Sequence, residues 1–395
     1  MRLAIFSDNF YPELSGISDS IIRTAKELAK RGHFINFYAP RYPRSKYEML
    51  KLPPGELDLG EKINIVRFWS LPFPGPTGQS RAVIPNALRW IKVKPFNPDI
   101  IHSHLLFGVG FEALIAAKVL KKPFVGTTHT PLSEFAHYLP IQANWFKTLN
   151  LKYNIWYYNH CQLVTSPCRA IFDEMTSGGL KAPHQVVSNP VDLNAFQPLQ
   201  PNKNILKKKF GFSDFTILYA GRLASEKRVD LVIRAIARLC KKIPNINFVI
   251  AGTGPVEAEL RNLAATLHVK SAVKFVGFIK DTKVFSEIYN ASDVFAIMSP
   301  AETQSLVAMQ AMACGLPVIG VKAWGIGEYL SQAGEILVEV GDDEALSDKI
   351  LFLYQNPKEK VGIGKRGKIF VKRFKASAIA DIWERIYEKT IKEYN

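Results

Sequence analysis

The sequence predicts an α/β protein made of two Rossmann-like, doubly wound parallel-sheet domains facing a cleft. Three observations carry this. Short apolar runs of strand length alternate with longer amphipathic runs along the 395 residues. The alternation stops at a polar, Pro-containing stretch and then restarts, so two halves of similar size follow one another. The composition, 47% hydrophobic and 22% charged, is that of a globular chain with substantial cores, at a length that suits two or three domains.

The elements follow in order. Leu3–Ser7 reads as a strand and Ser18–Lys30 as a helix with Ile21, Ile22, Ala25 and Leu28 on one face. Ile35–Ala39, Ile63–Phe68, Ile100–His102, Phe124–Thr127 and Leu163–Ser166 read as further strands, and Tyr42–Pro76, rich in Pro and Gly, as an irregular insertion. Asn189-Pro190-Val191-Asp192, Phe196-Gln197-Pro198 and the polar run Gln200–Lys209 mark the break. Beyond it come strand Thr216–Ala220, helix Arg228–Lys241, strand Asn247–Ala251, helix Pro255–Leu267, strand Val273–Val276, helix Lys280–Asn290, strand Asp293–Ile297, helix Ser305–Cys314 and strand Pro317–Gly320. Val361–Tyr394 reads as helical. Its apolar positions Ile379, Ile382, Trp383, Ile386 and Tyr387 make one stripe, suited to packing across a domain face. The expected domains are 1–198, 199–375 and a last helix, 376–395.

Composition excludes several classes. Disorder, collagen-like repeats, coiled coil and solenoid do not fit. Cys161, Cys168, Cys240 and Cys314 stand singly, without a Cys-x-x-Cys pair, which argues against zinc ribbons, thioredoxin chemistry and a disulfide framework. The first apolar run is too short for a signal peptide. No run reaches the roughly 18 apolar residues of a spanning helix. The expected location is therefore the cytoplasm, with a peripheral place on the inner face of the membrane. The 51 Lys and Arg against 35 Asp and Glu give a formal charge of +16, which suits an anionic partner. The excess is spread evenly, +8 in residues 1–200 and +8 in 201–395, so no basic arm points to nucleic acid.

Three segments after strands can hold an anionic ligand, because loops and helix starts at the carboxyl ends of parallel strands present backbone amides. The first is Pro12-Glu13-Leu14-Ser15-Gly16-Ile17-Ser18, where Gly16 lets backbone approach a ligand and the start of a helix at Ser18 offers amides. An ordinary βα turn is the plain alternative. The second is Gly221-Arg222-Leu223-Ala224-Ser225-Glu226-Lys227, where Arg222 offers a planar fork and Lys227 a point charge to a diphosphate; the alternative is a solvated basic turn. The third runs from Ala301 to Pro317. Glu302 precedes a helix, amides of Thr303, Gln304, Ser305 and Leu306 sit at its start, and Gln310 lies about two turns along. A carboxylate there can accept sugar hydroxyls or simply be an N-terminal helix charge.

Together these segments resemble family four of the glycosyltransferases over nearly the whole chain. Gly-Arg-Leu-x-x-x-Lys at 221–227, the Glu302 helix and Ala-Met-Ala-Cys-Gly-x-Pro-Val at 311–318 carry the resemblance. It implies the GT-B fold, a retaining reaction, a nucleotide-sugar donor, no cofactor and no metal; no Asp-x-Asp pair is present. By position, Gly16 resembles the loop glycine that meets donor phosphate, Arg222 and Lys227 the pair that neutralises the diphosphate, and Glu302 the acid that holds the sugar. His129, after the strand Phe124–Thr127, resembles the histidine that faces the transferred sugar; a satisfied core histidine is the alternative. Gln310 stands where the family has a second Glu for the ribose, and Ser305 where glycine is common. Retention through a double displacement would need a carboxylate beneath the sugar; none is evident in the first half, and the resemblance implies front-face departure. His102 and His104, as His-x-His, and Ala251-Gly252-Thr253-Gly254-Pro255 are read as structural.

The run from Thr128 to Pro140, with Glu134, His137 and Tyr138, looks like a segment of the diacylglycerol glucosyltransferases of this family, which implies UDP-glucose and a lipid acceptor. Arg81, Arg89, Lys92 and Lys94 lie among Val83, Ile84, Leu88, Trp90 and Ile91, a basic amphipathic stretch suited to an anionic bilayer. Trp145, Phe146, Tyr153, Trp156, Tyr157 and Tyr158 add aromatics, or form a helix packed on the sheet. A transferase with a soluble acceptor in oligosaccharide or polysaccharide synthesis, and a sugar-nucleotide-binding protein without turnover, are the other readings. GDP-mannose is the other leading donor.

Overall fold

In the computed structural model, which describes residues 1–13, 15–50, 52–72, 81–131, 144–200 and 202–394, the chain forms two compact units. One comprises Met1–Pro190 and Ala376–Asn395, the other Val191–Lys375.

The strands of the first unit are β1 (Arg2–Phe6), β2 (Phe34–Pro40), β3 (Ile63–Phe68), β4 (Leu71–Pro72), β5 (Arg81–Ala82), β6 (Ile100–Ser103), β7 (Phe124–Thr127), β8 (Leu163–Ser166) and β9 (His184–Val186). Among the described residues a seven-stranded sheet runs β3-β2-β1-β6-β7-β8-β9, every pair parallel. β4 and β5 form a separate antiparallel ribbon. Helices cover the faces, so the central strands are apolar on both sides, as in β1, where Leu3, Ala4, Ile5 and Phe6 are all buried. The order reverses between β1 and β6. At such a switch point the loops leaving adjacent strands diverge to opposite faces and leave a crevice at the carboxyl ends.

The second unit repeats the plan with β10 (Phe215–Ala220), β11 (Ile246–Ala251), β12 (Val273–Gly277), β13 (Val294–Ala296), β14 (Val318–Val321) and β15 (Ile336–Val338), in the order β12-β11-β10-β13-β14-β15. Its switch point lies between β10 and β13.

Three expectations need correction. The boundary falls at Pro190, not 198: Val191 N–H donates to the Phe374 carbonyl (2.8 Å), and Phe196 packs edge-on against Phe285 and Tyr289. Apolar burial, not the Pro-containing composition, sets the division. The tail is two helices, Pro357–Val371 and Ala376–Tyr394, because the chain becomes extended at Lys375 where it passes between the units. The insertion 42–76 contains the helix Arg44–Met49 besides β3.

The last helix belongs to the first unit through the apolar stripe read from its sequence: Ile379, Trp383, Ile386 and Tyr387 are buried. Arg31 binds both Asp381 (2.6 Å) and Glu384 (2.9 Å), and His33 Nε2 lies 2.7 Å from Glu384.

In the second unit, loop 221–224 rests directly on loop 252–255. A Cβ on Gly252 would stand 1.8 Å from the Gly221 carbonyl oxygen, at φ +153°, and one on Gly254 would stand 2.1 Å from that of Leu223. The glycines of Ala251-Gly252-Thr253-Gly254-Pro255 are thus a backbone-on-backbone seat for the loop that carries Arg222. Substituting Gly252→Ala is expected to destabilise the second unit by about 3 kcal/mol in urea unfolding; a change below about 1 kcal/mol would contradict this contact.

Candidate active site

In the second unit the candidates gather at the β10/β13 switch point. Arg222 follows β10, and its Nη2 lies 2.5 Å from Glu226 Oε1. Lys227 ends a single 3-10 turn, Ser225–Lys227. Glu302 leaves the loop after β13, and its carbonyl accepts the Ile326 amide at 3.1 Å, which fixes that loop to helix Trp324–Ala333. Lys227 Nζ and Glu302 Oε1, 75 residues apart in sequence, meet at 2.6 Å, both half-buried.

Helix Leu306–Ala313 starts beside them. Ser305 is its cap at φ +57°, and its carbonyl takes the amides of Ala308 and Met309, so the amides of Leu306 and Val307 precede the first intrahelical bond. Gln304 and Ser305 are buried, Thr303 and Leu306 half-buried, and the Ser305 hydroxyl is buried without a hydrogen-bond partner. Ser in this left-handed position carries a strain that glycine would not. Gln310 faces Tyr289, whose hydroxyl lies 3.2 Å from Gln310 Oε1 and 3.1 Å from the Val307 carbonyl. Where the carbonyl of Gln310 takes that hydroxyl, its amide group presents hydrogen-bond donors, the reverse of what a Glu would present.

In the first unit Gly16 is exposed and is the first residue of helix Gly16–Lys30. One expectation is corrected here. The helix starts two residues earlier than read, and the Ser18 amide is not available, because Ser15 Oγ accepts it at 3.2 Å in a capping box. The amides of Gly16 and Ile17 precede the first intrahelical bond instead.

His129 is buried beyond β7, and its Nε2 lies 3.1 Å from Nδ1 of His104. His102 bonds the Tyr387 hydroxyl through Nδ1 (2.8 Å) and Thr127 Oγ1 through Nε2 (2.7 Å). These side chains, with Ser20, Thr24, Asn189 and Trp383, line a small cavity. Burial holds all three histidines neutral: His102 is pushed down to about 3, His129 to about 4, and His104 well below its ordinary value. Among the described residues, no group of three His, Cys, Asp or Glu side chains is arranged to hold a metal ion. Asp8, at the end of β1, accepts the Val109 amide at 3.0 Å, and burial raises it to about 7. Sequence reasoning did not single out Asp8, His104 or Tyr387 as site residues.

Glu134, His137 and Tyr138 lie outside the described residues. The stretch 81–94 is not one amphipathic helix but β5 and two 3-10 turns, Arg89–Lys92 and Lys94–Phe96. Arg89 is corrected: it turns inward, binds the buried Glu112 at 2.8 Å and the Ile84 carbonyl at 2.7 Å, and covers the Phe68 ring. Trp90 is half-buried, while Lys92, Lys94, Ile84, Leu88 and Ile91 are exposed. Helix Asn144–Tyr158 buries Asn154, Tyr157 and Tyr158 but exposes Trp145, Leu149, Lys152 and Trp156 along one stripe. Among the described residues no helix is long and apolar enough to cross a membrane.

The pH dependence of this packing has a definite sign. His102, ordinarily titrating near 6.5, stays neutral in the fold down to about 3. Below pH 6.5 the unfolded chain therefore binds a proton that the folded chain does not, and stability is lost as pH falls. Asp8 and Glu335, raised to about 7 and 8, titrate the other way, so the comparison is made against His102→Asn. Relative to that variant, the wild type is expected to lose about 1.4 kcal/mol per pH unit between pH 6.5 and 4 in urea unfolding. Parallel curves for the two proteins would contradict the assignment.

Comparison with known proteins shows the family and the fold. Residues 14–195 match the model of Glycosyltransferase Family 4, and residues 202–370 match that of Glycosyl transferases group 1. The chain is 25% identical over 406 residues to an alpha-monoglucosyldiacylglycerol synthase of Acholeplasma laidlawii, covering 100% of this chain and 98% of that protein. It is 27% identical over 325 residues to a synthase of the same name from Streptococcus pneumoniae, covering 81% of this chain and 70% of that one. The crystal structure of Anabaena HepE in complex with UDP-glucose superposes with a TM-score of 0.75 at 20% identity, covering 98% of this chain and 99% of that one, which establishes the shared GT-B fold. With its two domain matches spanning most of its length, this chain belongs to the family 4, group 1 glycosyltransferases.

Proposed function

We propose that this glycosyltransferase moves glucose from UDP-glucose to a lipid acceptor of the diacylglycerol class, with retention and without a metal. The observation that carries the donor side is the ion pair of Lys227 with Glu302 beside a helix start. A ligand that enters this pair must satisfy both partners, offering an anionic oxygen to the ammonium and hydroxyl groups to the carboxylate. A sugar diphosphate has both within one molecule. Arg222 and the amides at Leu306 and Val307 add positive potential for the phosphates. Glu302 holds hydroxyls of the transferred sugar, His129 faces that sugar, Gly16 meets the phosphate by its backbone, and Gln310 donates to the ribose.

In the reaction the bond from the anomeric carbon to the diphosphate oxygen breaks as the bond to the acceptor oxygen forms on the same face. The acceptor hydroxyl gives its proton to the departing phosphate oxygen. Positive charge grows on the sugar ring and negative charge on the diphosphate, so Lys227 and Arg222 act most strongly in the transition state. The synthases named above and the UDP-glucose complex of HepE support the choice of acceptor and donor.

The peripheral membrane reading rests on two surfaces of the first unit. One joins exposed Ile84, Leu88 and Ile91 to Lys92 and Lys94; the other is the stripe of Trp145, Leu149, Lys152 and Trp156. Apolar and aromatic side chains among lysines suit a bilayer surface bearing anionic lipid.

Release of UDP from UDP-glucose should depend on vesicles containing diacylglycerol. Lys227→Ala or Glu302→Ala should lower turnover about 100- to 1,000-fold while thermal unfolding stays intact. Full turnover in either variant would overturn the donor assignment, and a covalent glucosyl-carboxylate trapped on the protein would overturn the front-face course. Flotation with anionic vesicles should be lost on raising salt from 0.1 to 1 M; no flotation at low salt would count against a lipid acceptor and favour a soluble one.

A further inference from the structure

The histidine pair in the first unit has a chemical property that neither ring has alone. Nδ1 of His104 and Nε2 of His129 are 3.1 Å apart, and both side chains are buried. Two neutral imidazoles at this distance share one hydrogen, donated by one and accepted by the other. Each neutral ring carries a single N–H, so the remaining nitrogens are complementary. If His104 donates, its Nε2 is bare and His129 Nδ1 carries hydrogen. If His129 donates, its Nδ1 is bare and His104 Nε2 carries hydrogen. The two tautomers are therefore locked together.

The surroundings hold the pair in place. The His104 amide donates to the Phe6 carbonyl at 2.8 Å, which fixes its backbone to the end of β1. Its ring lies 4.0 Å from that of His102, which is itself held at both nitrogens by Tyr387 and Thr127. His102, His104, His129 and Tyr387 are the titratable groups lining this cavity, and no carboxylate or cationic side chain lines it among the described residues. No neighbouring charge selects a protonated ring, so the hydrogen bond ties the tautomer of His129 to that of His104.

We propose that His104 is a positioning residue: its Nδ1 fixes the ring orientation of His129 and couples the tautomer of His129 to its own, and with them the hydrogen-bonding character that His129 Nδ1 shows the transferred sugar. This rests on the reading that His129 faces that sugar. The reason the pair serves the reaction is geometric. An imidazole held at one nitrogen has one ring plane, and a neutral ring adds hydrogen-bonding specificity beside an electron-poor anomeric carbon without adding a second positive charge.

The test uses the full chain with UDP-glucose and vesicles. His104→Phe keeps the ring volume and removes the nitrogen; His104→Asn keeps a polar atom one bond beyond Cγ, where Nδ1 stands. His104→Phe is expected to lower kcat about 10- to 100-fold, with the donor KM changed less than about threefold. His104→Asn should recover most of the loss. Imidazole 15N shifts should report equal Nδ1–H fractions for His104 and His129 in the wild type between pH 6 and 8, and a different fraction for His129 in His104→Phe. A merely structural role would lower the unfolding midpoint in both variants alike and leave the tautomer balance of His129 independent of residue 104. Undiminished kcat in a folded His104→Phe, or an unchanged tautomer balance of His129 in that variant, would overturn the proposal. His129→Ala separates the premise: if it too keeps full activity, the reading of His129 has failed. If it loses activity while His104→Phe does not, the inference about His104 alone has failed.

Discussion

The 2.6 Å contact between Lys227 and Glu302 is the constraint around which the second unit is arranged. Neither residue is near the other in sequence. They meet because β10 and β13 are neighbours at the point where the strand order reverses, so that the loops leaving them emerge side by side. The glycines at 252 and 254 hold the first of these loops down by direct backbone contact, and the bond from the Ile326 amide to the Glu302 carbonyl holds the second. Lys227 and Glu302 are half-buried opposite charges, each paired with the other. In the proposed function, a donor that opens this pair would offer an anion to Lys227 and hydroxyl groups to Glu302 within one molecule.

The first unit uses the same topological device with different chemistry. β1 and β6 meet at its switch point, and the cavity in this unit is lined by three histidines stripped of charge by burial, with hydroxyl groups around them. The last helix is part of this arrangement. Tyr387 closes the hydrogen-bond chain through His102 to Thr127, and the Arg31 and His33 contacts with Glu384 seat the helix on the first unit. The unit therefore depends on residues from both ends of the chain.

Much of this was legible in the residues. The strands Ile63–Phe68, Phe124–Thr127 and Leu163–Ser166 coincide with the observed bounds; the latter two are central and almost wholly buried, while Ile63–Phe68 is an edge strand legible from its β-branched residues Ile63, Ile65 and Val66. Gly-Arg-Leu-x-x-x-Lys and the Glu302 helix could be read because each is a local motif at a strand end. What escaped was non-local. His104 meets His129 because β6 and β7 are paired, with His102 opposite Val125; the hint was two histidines spaced i, i+2 on one strand face, beside the strand preceding a third. Tyr387 reached the cavity from 285 residues away. Arg89 looked like a surface cation and is a half-buried one turned inward, since its buried partner Glu112 lies on a helix that the local pattern could not bring near it. The boundary at Pro190 was set by aromatic packing of Phe196 rather than by the composition of the linker.

The most direct test of the account is a crystal structure with UDP-glucose bound. The account requires a phosphate oxygen within about 3 Å of Lys227 Nζ and a glucose hydroxyl within about 3 Å of the Glu302 carboxylate, with their mutual contact opened. A donor bound elsewhere, with the Lys227–Glu302 contact still closed, would contradict it.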